Sequence, residues 1–118
     1  MLDYDEKSIK TKACVATSYW VFRSLGEVGR EIDLATEKNV RPDWDHIDML
    51  VNRISKNMKH LKWCDENFPI EQVSRMLNRL KDAVESRDTS GVNDALTRID
   101  GFLQDHYWHN LRTHIEIW

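Results

Sequence analysis

The apolar residues of this 118-residue chain recur every three or four positions, and this spacing constrains the fold more than any other feature of the sequence. Residues spaced in this way lie on one face of an α-helix, whereas a half-buried strand requires strict alternation. The pattern is most regular in the second of four such segments, at Trp44, Ile47, Val51, Ile54, Met58 and Leu61. Because convincing strand alternation is missing from the sequence, we predict an all-α fold.

Residues that break or begin helices separate the four segments. The first segment runs from about Asp5 to Lys38, Pro42 prevents its continuation, and Pro69 starts the third. Asp43 is a suitable N-cap for the second helix, and one of Asp88, Thr89 and Ser90 caps the fourth. Since the linkers have only about four to seven residues, consecutive helices must lie side by side. We therefore predict one domain, residues 1–118, folded as an antiparallel four-helix bundle with a long first helix.

The helical stripes also predict the core. We expect the large apolar residues of the last three helices to be buried, including Trp44, Ile54, Leu61, Leu77, Leu80 and Leu96. In the first helix the stripe reads Ile9, Ala13, Ala16 and Trp20, then Leu25, Val28, Ile32 and Ala35, with a step of five near Gly26. Because a glycine inside a helix costs about 1 kcal/mol relative to alanine, Gly26 and Gly29 indicate either a kink or a closely packed neighbour.

Two cysteines, Cys14 and Cys64, are too few for a disulfide framework and lack the CxxC spacing of a metal site. We interpret both as free thiols in a reducing compartment, with a single disulfide as the alternative. The first ten residues are polar and acidic, unlike a secretory signal. Apolar runs stay well below the ~18 residues of a membrane span. We therefore expect a soluble, cytoplasmic protein.

Charge is unevenly distributed along the chain. The formal net charge is −3, yet residues 46–81 sum to +3 and residues 82–118 to −4. Basic residues at steps of three predict a basic ridge on the second helix, formed by Arg53, Lys56, Lys59 and Lys62. Arg75 and Arg79 extend it from the third helix. Such a ridge is either an ordinary solvated surface or a contact site for an acidic protein or nucleoprotein.

The end of the chain is rich in aromatic residues. Trp108, Leu111, Ile115 and Trp118 follow one another at steps of three, four and three. These residues either continue the core of the bundle or form an exposed aromatic patch, and exposed Trp and Tyr side chains tend to anchor interfaces.

Two acidic pairs flank the first linker: Glu27 with Glu31, and Asp45 with Asp48. Antiparallel packing could bring all four carboxylates together, as Mg²⁺ requires. The stretches EVGRE and DHID resemble the E-x-x-E and E-x-x-D elements of MazG-like nucleotide pyrophosphohydrolases, an all-α family, and the resemblance implies a Mg²⁺-dependent pyrophosphohydrolase. The chain departs from that pattern at Asp45 and at Arg30, which occupies the position of the second acid. Because a guanidinium there neutralises one ligand, we expect these acids to bind no metal.

Arg53 and His60 lie seven residues apart, two turns along one helix face. They resemble the R-x(4–6)-H pattern of HEPN-domain RNases, which are also small helical bundles, although a polar residue rather than Ile54 usually follows the arginine in that family. The resemblance implies an RNase or RNA-binding bundle in which His60 acts as general base and Arg53 holds a phosphate, with the site completed by a dimer.

Binding explains this sequence better than catalysis does. We expect a small cytosolic protein that inhibits or neutralises a macromolecular partner, as immunity proteins, antitoxins and phage-encoded inhibitors of host defence do. The pyrophosphohydrolase and the RNase remain the alternatives. The expected partner is an acidic protein or nucleoprotein, without membrane or cofactor and with a homodimer as an option. The expected contact residues are Arg53, Lys56, Lys59, Lys62, Trp108 and Trp118.

Overall fold

The structure is a computed structural model that describes residues 6–64, 66 and 68–105, with side chains described from Cys14 onward except that of Cys64. These residues form four α-helices: α1 (Glu6–Glu37), α2 (Trp44–Cys64), α3 (Ile70–Glu85) and α4 (Thr89–Leu103). They include no strand. The predicted all-α fold, the helix boundaries near Pro42, Pro69 and Ser90, and the long first helix are confirmed.

The helices pack as antiparallel neighbours. The most extensive contacts join α1 with α2 and α3 with α4, and smaller contacts join α2 with α3 and α1 with α4. This arrangement follows from the short linkers, because a chain that leaves one helix has room only to turn back along it. The described helices are too short or too polar to span a membrane.

Two aspartates cap helix starts. Asp43 Oδ1 accepts a hydrogen bond from the backbone N–H of His46 at 3.2 Å, at the start of α2. Asp88 Oδ1 accepts one from the N–H of Gly91 at 3.0 Å, at the start of α4. Each bond satisfies an N–H that the first helical turn leaves without a partner. Asp43 is thus confirmed as a cap, and of the three candidates for α4 the residue is Asp88.

Two helix ends form Schellman motifs. After α1, Val40 donates to the carbonyl of Ala35 at 2.9 Å, and Asn39 has a φ of 54°. After α3, Asp88 donates to the carbonyl of Ala83 at 2.9 Å, and Arg87 likewise has a φ of 54°. This left-handed conformation suits glycine and asparagine, whereas arginine adopts it at a steric cost.

The core contains all six residues predicted to be buried. Each of them is less than a tenth exposed. Outside α1, three buried residues were not on the predicted stripes: Leu50, Phe68 and Ala95. Leu50 lies between two predicted stripe positions of α2, so the buried face of this helix is wider than a single stripe.

The predicted stripe in the first half of α1 is wrong. Trp20 is 47% exposed, and Ala16 is exposed as well. The buried face instead continues from Leu25 to Val21, Ser18 and Cys14 at regular helical steps. Small side chains occupy this face, and they carry a weaker apolar signal than the large ring of Trp20. Ile9 and Ala13 lie outside the residues whose side chains are described.

Neither glycine of α1 marks a close approach. A Cβ at Gly26 would meet nothing within 4 Å, and a Cβ at Gly29 would lie 3.8 Å from Leu96 Cδ1, an ordinary contact distance. The expectation of a closely packed neighbour is therefore wrong for both positions, and α1 runs through them as one helix.

Cys14 is bonded in a disulfide. The expectation of a free thiol is wrong for this residue, while the side chain of Cys64 lies outside the described residues. Disulfides persist mainly in oxidising environments. The cysteine content consequently gives no support for a reducing compartment.

Candidate functional site

The predicted basic ridge winds around α2. Arg53, Lys56, Lys59 and Lys62 are all exposed. Since an α-helix turns by about 100° per residue, the direction of the side chain changes by about 180° over the nine steps from Arg53 to Lys62. These two residues therefore lie on opposite flanks of the helix, and the four cations do not share one face.

A more coherent surface consists of Met49, Arg53, Lys56, His60 and Trp63, which we call the α2 outer face. All five residues are exposed. Their helical positions fall within a sector of about 80°, on the side opposite the buried stripe. Lys59 lies beside this sector, about 40° beyond Trp63. The α2 outer face thus combines two cations, Arg53 and Lys56, with apolar and aromatic surface.

An aromatic stack lies at one end of the α2 outer face. The rings of His60 and Trp63 have centroids 5.4 Å apart and an interplanar angle of 26°. Trp63 is 58% exposed. An exposed Trp offers a large area that loses water on contact with a partner, and tryptophan and arginine are enriched among the residues that dominate binding energy.

The cations near this surface differ in the hydrogen bonds and ion pairs that they form. Lys62 Nζ donates to the carbonyl of Glu66 at 2.6 Å, and Lys81 Nζ donates to Ser55 Oγ at 3.2 Å. Arg53, Lys56 and Lys59 form no ion pair with any acid in the described part of the chain. Their charge is not compensated locally, so it can attract an anionic partner.

The two predicted acidic pairs do not form one cluster, because an acid of each pair forms an ion pair with a different arginine. Glu27 pairs with Arg23, with 3.3 Å between Nε and Oε1, and Asp48 pairs with Arg87, with 3.4 Å between Nη1 and Oδ2. Glu31 is half-buried and Asp45 is exposed. Within the described residues, no three His, Cys, Asp or Glu side chains come together as a metal-binding group.

A shallow groove of about 320 Å³ lies between α2 and α3. It is lined by Asp48, Val51, Asn52, Lys81, Val84, Glu85 and Arg87. The lining residues include neither a histidine nor a cysteine, and two of the charged residues, Asp48 and Arg87, already pair with each other. Lys81, a third charged residue of the lining, donates a hydrogen bond to Ser55 Oγ at 3.2 Å.

Of the remaining predicted residues, some lie in the described part of the chain and others lie outside it. Arg53 and His60 both belong to the α2 outer face, where the ring of His60 stacks on Trp63. Trp108 and Trp118 lie outside the described residues. Sequence reasoning missed Met49 and Trp63 as surface residues, although both lie opposite the buried stripe of α2 and a helical projection would have identified them.

No protein-family model, curated protein or solved structure matches this chain.

Proposed function

We propose that this chain is a binding protein that holds an acidic protein partner on the α2 outer face and thereby inhibits or neutralises it. The observation that carries the proposal is the combination, on one exposed helix face, of locally uncompensated cations with the stacked pair His60 and Trp63. The bundle serves as a rigid support for this face.

The charges of the α2 outer face support a role in association. Arg53 and Lys56 stand on a protein whose formal net charge is −3, so a partner is attracted to one side of the molecule rather than to all of it. Complementary charge mainly accelerates encounter and selects the partner. Trp63 then supplies the apolar contact that slows dissociation.

An acidic protein fits this face better than a nucleic acid does. Proteins that bind single strands without sequence preference line a positively charged groove with aromatic residues. Here the cations stand on one exposed helix, and the protein as a whole repels polyanions. A partner with carboxylates on a folded surface can match a small basic area while avoiding the acidic remainder.

The biological role that suits this chemistry is that of a small inhibitor, such as an immunity protein, an antitoxin or a phage-encoded inhibitor of host defence. The proposal retains a cytoplasmic location, which the disulfide of Cys14 makes testable. In a reducing cytosol, the cysteines are expected to be free thiols. Acid quenching preserves that state, and maleimide added afterwards should then label them. Complete protection from the label would contradict this location.

The central experiment is affinity capture from the natural source with three versions of the chain. The test variant carries Lys56→Glu and Lys59→Glu, and the matched control carries Lys38→Glu and Arg41→Glu, an exposed basic pair between α1 and α2 with the same change in net charge. We expect the wild-type chain and the control to retain the same acidic protein and the test variant to lose it.

Two results would contradict the proposal. Retention of the same partner by the test variant would show that the α2 outer face is only a solvated surface. Tight binding of a single-stranded RNA or DNA oligonucleotide that the test variant loses, without a retained protein, would assign the face to nucleic acid instead.

A further inference from the structure

A second exposed surface lies on α1 and consists of Tyr19, Trp20, Arg23 and Glu27, which we call the α1 outer patch. Tyr19 is 56% exposed and Trp20 is 47% exposed. Tyr19 and Arg23 point away from the buried stripe of Val21, Leu25 and Val28, and the other two residues lie beside them. Two large aromatic side chains so exposed next to each other are typical of interface residues.

The side chains of the α1 outer patch hold one another in place. The rings of Tyr19 and Trp20 meet edge to face with centroids 5.8 Å apart. Arg23 Cζ lies 5.6 Å from the centre of the Trp20 ring, and Arg23 Nε is 3.3 Å from Glu27 Oε1. Because these groups are already ordered, a partner that contacts them loses less side-chain entropy on binding.

The charges of the patch indicate what it binds. It carries one cation and one anion, Arg23 and Glu27, four residues apart on one helix. A two-fold axis that crosses α1 level with Leu25 places Arg23 of each copy opposite Glu27 of the other. The α2 outer face lacks this property, since its uncompensated cations would repel their own copies.

We infer that the α1 outer patch is an isologous interface that joins two copies of this chain through antiparallel α1 helices. The same axis brings Trp20 of each copy level with Arg30 of the other, because both residues lie five positions from Leu25. Arg30 is exposed, and guanidinium groups pack favourably on tryptophan rings. Gly26 lies on the same side of α1. The open space around its missing Cβ allows α1 of the other copy to approach closely.

The inference is independent of the proposed function, because the two surfaces lie on different helices. A dimer built in this way presents two α2 outer faces. It therefore changes the valency with which a partner is bound and leaves the chemistry of each α2 outer face unchanged.

Charge reversal tests the two-fold geometry directly by sedimentation velocity over a range of protein concentrations. We expect the wild-type chain to dimerise reversibly, and Arg23→Glu or Glu27→Arg alone to weaken dimerisation by about tenfold or more, because each places like charges opposite each other. An equimolar mixture of the two variants should restore dimers, since one chain then presents two carboxylates and the other two cations.

Controls separate this effect from a loss of fold. Trp20→Ala should weaken dimerisation, whereas Trp63→Ala, which removes an exposed tryptophan from α2, should leave it unchanged. Circular dichroism should show the same helical content for every variant. A wild-type chain that stays monomeric up to about 1 mM, or a mixture that associates no better than either variant alone, would overturn the inference.

Discussion

The guanidinium of Arg87 lies over the ring of Trp44, with 5.3 Å between Cζ and the ring centre. Arg87 belongs to the turn between α3 and α4, while Trp44 is the first residue of α2. Arg87 Nη1 also donates to Asp48 Oδ2 at 3.4 Å. One side chain thus connects the α3–α4 turn to the beginning of α2, and it does so from a left-handed backbone conformation.

Two substitutions of Arg87 should separate the energy of its side-chain contacts from the cost of its left-handed backbone conformation. We expect Arg87→Ala to lower the free energy of unfolding by about 1 kcal/mol, through loss of the cation–π contact and of an exposed ion pair. Arg87→Gly removes the same contacts but relieves the left-handed strain, so it should be less destabilising than Arg87→Ala. Urea denaturation measures both, and a glycine variant less stable than the alanine variant would show that the strain is negligible.

Because its hydroxyl is buried, replacing Ser18 with alanine should stabilise the protein. Ser18 is 1% exposed, and its Oγ has no hydrogen-bond partner, the only such buried side-chain atom in the described residues. Ser18→Ala removes an unsatisfied polar group and introduces a better helix former, so we expect a gain of about 1 kcal/mol or more in thermal or urea denaturation. Ser74→Ala on the exposed side of α3 is the control, because it changes helix propensity alone. Equal gains at both positions would contradict a penalty from the buried hydroxyl.

Two glycines of α4 should respond differently to alanine. A Cβ at Gly101 would meet nothing within 4 Å, so Gly101→Ala should stabilise the protein by about 0.5–1 kcal/mol. A Cβ at Gly91 would lie 2.6 Å from Asp88 Oδ2, part of the carboxylate that caps α4. Gly91→Ala should displace that cap and cancel the gain in propensity. The difference between the two melting temperatures is the measurement, and equal shifts would mean that the cap readjusts freely.

The core of α3 should tolerate truncation poorly. Leu77 is buried, and Leu77→Ala should lower the free energy of unfolding by about 2–5 kcal/mol through lost apolar contacts and a residual cavity. Leu34→Ala on the exposed side of α1 removes the same atoms and should have an effect below about 1 kcal/mol. A loss below about 1 kcal/mol at Leu77 would show that the core closes around the cavity or that the register of α3 differs.

The two chemistries of the α2 outer face should separate in binding kinetics once a partner has been captured. We expect Lys56→Glu with Lys59→Glu to lower the association rate and to flatten its dependence on salt, since these charges act at long range. Trp63→Ala should mainly raise the dissociation rate, because its contact forms only in the complex. Surface plasmon resonance at two salt concentrations measures both rates. An association rate that does not change when the lysines are replaced would show that they do not steer the partner.

For the described part of the chain, the sequence alone determined the number of helices, their approximate boundaries and most of the core. For α2, α3 and α4 this worked because large apolar residues occupy the buried stripe and mostly polar or charged residues the opposite side, with Met49 and Trp63 of α2 as exceptions. Asp43 could also be identified as a cap, because a side-chain oxygen just before a helix has one obvious backbone donor to accept from.

Tertiary structure decided which side of the first half of α1 is buried. There Thr17 and Ser18 are buried, while Trp20 remains at the surface. Helix geometry ties each side chain to a direction, but only the position of the neighbouring helices determines which direction is covered. The contact between Arg87 and Trp44 depends on tertiary structure for the same reason, because it joins groups that are distant in the chain and meet only when the helices pack.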